Sequence, residues 1–252
     1  MDLTLGSVAL LAVAGFFAGA LNAAAGGGSL ISFPALIAVG YSPLTANVTN
    51  NVAVAPGYVS GATGYRRELR GQGGRAVPLV IASAVGSLVG VGLILVSSQE
   101  AFESIVPFLV LAACALLAFQ PWISRRLGGR SGGRDKPGLG ALAGQALAAV
   151  YGGYFSAALG VVVLAFLGLF FDDTLQRLNA LKALLQLVIG VVSALGIALL
   201  TPVAWSAVAV IAPASVVGGE VGARLARKVS DRALRMGIVA YGLAAAVWLF
   251  VR

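Results

Sequence analysis

The chain has 252 residues, 59% of them hydrophobic and only 10% charged, with a formal net charge of +8. An ordinary soluble domain carries about a quarter charged residues, so water is excluded as the main solvent and a lipid bilayer is expected instead. The absence of histidine and the single cysteine, Cys114, exclude Ser-His-Asp and Cys-His catalysis, histidine-ligated metals, disulfides and thiolate clusters. No enzyme activity, metal or cofactor is therefore expected.

A helical span needs about 20 mostly apolar residues to cross the hydrocarbon. Taken in chain order, the first helix is expected near 5–23, followed by a break at Gly26-Gly27-Gly28 and a short helix near 29–39. A turn at Gly40-Tyr41-Ser42-Pro43 leads into a span near 44–65, and further spans follow near 76–97 and 102–121. A second broken pair is expected near 139–157 and 160–171, then spans near 176–200, 203–222 and 233–251. The start, Met1 to Gly6, lacks the positive region of a secretory signal, so the first apolar segment is read as part of the mature protein. Trp122, Trp205 and Trp248 fall near span ends, where interfacial belts form.

The basic residues interrupt these apolar runs instead of forming one face, which argues against a nucleic-acid partner. Arg66, Arg67, Arg70 and Arg75 follow one span, Arg125, Arg126, Arg130, Arg134 and Lys136 fill a loop, and Arg224, Arg227, Lys228, Arg232 and Arg235 follow another. By the positive-inside rule all three loops are cytoplasmic, and the acidic hairpin 98–103 and the turn Thr201-Pro202 lie outside.

The chain also repeats itself. Val85 to Leu93 matches Val217 to Leu225 at five of nine positions, and an offset of 133 sets Gly57 against Gly190 and Ser60 against Ser193. Equivalent loops carry opposite charge character, as inverted-topology repeats require. The expected architecture is an all-α integral membrane protein of 8–10 segments. It has two inverted repeats, 1–121 and 139–252, each a broken helical hairpin plus three long spans, joined by a basic cytoplasmic linker at 122–138.

At the repeats a family likeness emerges. Gly15-Phe16-Phe17-Ala18-Gly19, Asn22, Gly26-Gly27-Gly28-Ser29-Leu30-Ile31 and Phe33-Pro34-Ala35-Leu36 resemble the first repeat of the sulfite exporter TauE/SafE family of sulfonate and sulfite permeases. Thr45-Ala46-Asn47, Thr49-Asn50, Pro56-Gly57 and Gly64-Tyr65-Arg66-Arg67-Glu68-Leu69 continue it; Gly152-Gly153-Tyr154-Phe155 and Leu178-Asn179-Ala180-Leu181-Lys182 resemble the second repeat. The family pattern has glycine where Ser156 and Ala157 stand and asparagine where Ala183 stands. At an offset of 133 Ala183 faces Asn50, so one polar arm of a symmetric site is expected to be missing. The resemblance implies a permease for a sulfur oxyanion or organosulfonate in the cell inner membrane.

The polar residues within the spans supply the candidate site. Three glycines in a row, Gly26, Gly27 and Gly28, beside Asn22 and Ser29, suit either a helix end lining an anion cavity or close packing of helices. Asn47, Asn50 and Asn51 share one helical face, as do Asn179, Lys182 and Gln186. Lys182 is either a site residue or a side chain that reaches back to the surface near Asp172 and Asp173. Ser156 is a further candidate, and Glu220 is read as a proton- or ion-coupling carboxylate or as an i,i+4 ion pair with Arg224. The leading reading is a secondary transporter for a small anion; the alternatives are an anion channel and a non-transporting membrane scaffold or assembly factor. Oligomeric state cannot be read from these residues.

Overall fold

The computed structural model describes residues 3–24, 26–127, 137–225 and 231–251. These residues form eleven helices and no strand: α1 (Leu5–Ala24), α2 (Ser29–Val39), α3 (Pro43–Val54), α4 (Gly57–Gly64), α5 (Gly73–Val96), α6 (Gln99–Leu127), α7 (Leu139–Tyr154), α8 (Leu159–Phe170), α9 (Leu175–Leu200), α10 (Trp205–Leu225) and α11 (Asp231–Val251). Of the basic residues expected to set orientation, Arg130, Arg134, Lys136, Arg227 and Lys228 lie outside the described residues.

Local chemistry explains most boundaries. At the first break Gly26 takes φ +80°, a left-handed conformation that costs a residue without Cβ little. Helix α3 starts at Ser42, whose hydroxyl accepts the Thr45 N–H at 3.3 Å, with Pro43 in the first helical position. Helix α9 starts the same way: the Thr174 hydroxyl accepts the Arg177 N–H at 3.4 Å.

One expected span differs. The run 44–65 is not a single helix but α3 and α4, pinched at Ala55-Pro56. Pro56 has no N–H to give, and the next turn tightens to Tyr58 N–H on the Ala55 carbonyl (3.1 Å) and Val59 N–H on the Pro56 carbonyl (3.2 Å). The backbone at both residues stays right-handed helical, so the chain continues forward. In the first half, then, only α5 and α6 after the hairpin are long uninterrupted helices.

Among the described residues, five helices are long and apolar enough to cross a membrane: Leu5–Ala23, Gly73–Val96, Gln99–Phe119, Leu175–Leu200 and Trp205–Gly222. Shorter apolar helices are Ser29–Val39, Leu159–Phe170 and Val239–Trp248. Large apolar side chains cover the outside; on α5, Val77, Ile81, Val85 and Leu88 form one exposed stripe. Trp122, Trp205 and Trp248 are exposed near helix ends, as an interfacial belt requires.

The halves interlock through glycine. Helix α1 packs along α10 and α5 along α7. A Cβ on Gly19 would lie 1.9 Å from the Ser215 carbonyl oxygen, and one on Gly90 would lie 2.2 Å from that of Val150. Backbones this close are how helices associate where apolar burial alone gives no preference over lipid. Further in, α9 lies against α3 and α4, and α11 lies against α6.

Candidate functional site

The two breaks, one expected in each half, touch. The Gly160 N–H donates to the Gly26 carbonyl at 3.1 Å, and a Cβ on Gly160 would lie 2.6 Å from the Gly26 Cα. Only glycine permits this crossing. Across it the Ser29 and Ser156 hydroxyls stand 3.5 Å apart. Ser156 and Ala158 hold φ +59° and +52° without being glycine, and the Tyr151 hydroxyl braces this second break by donating to the Ala157 carbonyl at 2.5 Å.

Beside the crossing is a small cavity lined by Asn22, Ala23, Gly57, Tyr58, Gly61, Lys182, Ala183 and Gln186. Helix α1 supplies Asn22 from its last turn, α4 supplies Gly57 and Tyr58, and α9 supplies Lys182 and Gln186 one turn apart. The Asn22 side-chain oxygen accepts the Gly28 N–H at 2.8 Å and so bridges the break, while its Nδ2 donor has no partner. Gln186 Nε2 is likewise buried and unpartnered.

Lys182 is 2% exposed, so it does not reach back to the surface. Asp173, one of the two acids it was weighed against, is engaged elsewhere: it accepts from Arg177 Nε at 2.9 Å and from the buried Arg75 guanidinium. Among the described residues no carboxylate pairs with Lys182. A buried ammonium costs several kcal/mol unless something compensates it. Amide donors that have nothing to bind stand on the same wall, and these are groups that can bind an anion. Its free volume is about 10 Å³, room for one water at most, so as it stands the cavity is too small for an anion.

The other candidates serve differently. Asn47 donates to the Tyr154 carbonyl at 2.7 Å and Asn51 to the Asn47 carbonyl at 3.3 Å, which ties α3 to α7 and to itself. Asn50 accepts from Ser32 at 2.5 Å and keeps its Nδ2 unpartnered. Asn179 is half-buried and lines no part of the cavity. Glu220 is exposed on α10, away from the buried Gly218 and Gly219, and is not on the cavity wall.

Two participants are absent from the sequence reading: Tyr58 on the cavity wall and Ser32 on Asn50. Ser32 had a signal, since it lies one turn after Ser29. Tyr58 had none beyond the Pro56-Gly57 pinch before it. The helix starts offer a second register. Helices α3 and α9 begin 132 residues apart, at Pro43 and Leu175, on matching hydroxyl caps. An offset of 132 sets Asn47 against Asn179 and Asn50 against Lys182, not Ala183.

A family model described as Sulfite exporter TauE/SafE matches residues 11–249. Among curated proteins, the "Probable membrane transporter protein ORF9" of a Sinorhizobium species is 31% identical over 120 residues, 48% of this chain and 46% of that protein. A "Probable membrane transporter protein" of Haemophilus influenzae is 34% identical over 127 residues, 48% of each chain. The chain thus spans about half the length of the curated relatives it matches. No solved structure matches.

Proposed function

The chain belongs to the sulfite exporter TauE/SafE family of multi-pass membrane proteins, and on that premise we propose that it is a secondary transporter of a small anion, a sulfur oxyanion or organosulfonate, in the cytoplasmic membrane. The observation that carries this reading is Lys182, buried without a carboxylate among the described residues and set beside the idle amide donors of Asn22 and Gln186. No catalytic dyad is part of the proposal.

Alternating access suits the architecture. The reciprocal packing of α1 on α10 and α5 on α7 supports two inverted repeats whose breaks meet at the centre. The closed cavity is then an occluded state, and substrate enters when α4 moves against α1 and α9. A second cavity of about 250 Å³ between the start of α3 and the ends of α5 and α9, lined by Thr45, Ser97 and Thr201, would be its outer vestibule. With the basic loops cytoplasmic, this vestibule faces outward. Glu220 remains a proposed coupling carboxylate acting from outside the cavity.

The test is flux into proteoliposomes offered sulfite, taurine, sulfoacetate, thiosulfate and chloride. Saturable exchange of a sulfur anion that falls at least tenfold in Lys182→Gln is expected; unitary currents would make the protein a channel, and no flux of any anion would refute the proposal. For coupling, Glu220→Gln should abolish the effect of a proton gradient while leaving exchange intact.

A further inference from the structure

We propose that the cavity selects by charge as well as shape: it takes a monovalent oxyanion, R–SO₃⁻ or HSO₃⁻, and rejects a dianion of the same size, with Lys182 setting the limit. This rests on the anion-site reading above and narrows it.

The inference comes from the charges around the cavity. Lys182 is on α9, which packs against α3, α4, α5, α7 and α8. Of these, α3, α4, α7 and α8 contain no Asp, Glu, Lys or Arg, and neither does α1 on the opposite wall. Helix α5 contributes only Arg75, and α9 itself adds Arg177; both are committed to Asp173, and Arg75 also donates to Gln72 at 2.9 Å and lies over the Phe171 ring. Arg177 is partly exposed at the end of its helix, where water screens it. Among the described residues, the ammonium is thus the one ionised group on the cavity wall.

One negative charge neutralises that ammonium. Its oxygens can then take the Asn22 and Gln186 amide donors, both without partners. A dianion finds no second cation. The amides satisfy its oxygens but leave a net charge buried in a water-excluding site, where an uncompensated ion is strongly disfavoured. For a solute such as sulfite, which exists as HSO₃⁻ and SO₃²⁻ near neutrality, the transported form would be the protonated one.

The experiment is calorimetric titration of the full chain in nanodiscs at pH 7 and constant ionic strength. The probes are methanesulfonate and sulfate, tetrahedral anions of similar size that differ by one charge. Sulfate should bind at least about tenfold more weakly than methanesulfonate. Gln186→Lys, which adds a second cation to the wall, should shift the ratio toward sulfate by at least about tenfold. Thiol labelling of the buried Cys114 on heating shows whether each variant is folded. Equal affinity for the two probes would overturn the charge limit while leaving the anion site standing. So would a folded Gln186→Lys variant with an unchanged ratio. Binding of neither probe, together with no flux of any anion, would remove the site itself.

Discussion

Replacing Gly160 by alanine puts a methyl group where the two helix breaks cross. Its carbon would lie 2.6 Å from the Gly26 Cα and 2.9 Å from both amide atoms of Gln186. The first contact is with backbone, held in place by the Gly160 N–H donating to the Gly26 carbonyl at 3.1 Å, so no side chain can swing aside to relieve it. The breaks must part. Overpacking of this kind costs about 1–3 kcal/mol, and opening a hydrogen bond in a site closed to water costs about 1–3 kcal/mol more. At about 2–4 °C per kcal/mol for a chain of this length, the melting temperature should fall by roughly 5–20 °C. Cys114, 1% exposed and the only cysteine, provides the assay, because a thiol-reactive fluorophore reports its exposure on unfolding in detergent. Gly92→Ala is the control: nothing lies within 4 Å of its Cβ, and mid-helix alanine gains up to about 1 kcal/mol in propensity. If Gly160→Ala melts within about 2 °C of the parent, the crossing is not the rigid centre described here.

Three further outcomes are expected. Ala158→Gly releases a non-glycine residue from φ +52° and should raise the melting temperature, by the equivalent of about 1 kcal/mol; a lower value would mean that the alanine methyl contributes more through packing than its backbone strain costs. Ser32→Ala removes the donor that holds the Asn50 oxygen at 2.5 Å and should destabilise by about 1–3 kcal/mol, measured by the same Cys114 melt. Asp173→Asn strands the buried Arg75 and should cost about 3 kcal/mol at neutral pH. That loss has a pH signature. Burial pushes the Asp173 carboxyl up, but hydrogen bonds from Arg75, Arg177 and the Thr174 N–H, with the Arg75 charge, outweigh it and hold the group below its ordinary value of 3.8. A depressed acid contributes stability that is complete above the unfolded value and is lost as pH falls through the folded one. The gap between parent and Asp173→Asn should therefore be constant from pH 5 to 8 and shrink only below about pH 4. A gap that closes near pH 6 would show that another group governs it.

The breaks and the bilayer as solvent were legible in the sequence because each depends on residues close along the chain. A glycine triplet cannot hold a helix, and an uncharged run from Leu3 to Tyr65 has no stable place in water. The Pro56 pinch was readable in principle, yet Pro34, Pro78, Pro107, Pro121 and Pro213 sit within helices, so proline alone does not mark a break. The surroundings of Lys182 were not legible. Asp172 and Asp173 lie closer in sequence than Asn22 or Tyr58, and only the tertiary structure commits Asp173 to Arg75 and leaves the ammonium beside the amides. The register between halves behaved alike: an offset of 133 sets Gly57 against Gly190, whereas the starts of α3 and α9 lie 132 residues apart and set Asn50 against Lys182. Backbone conformation is written in neighbours along the chain, whereas the partner a buried charge finds depends on which distant helices fold against it.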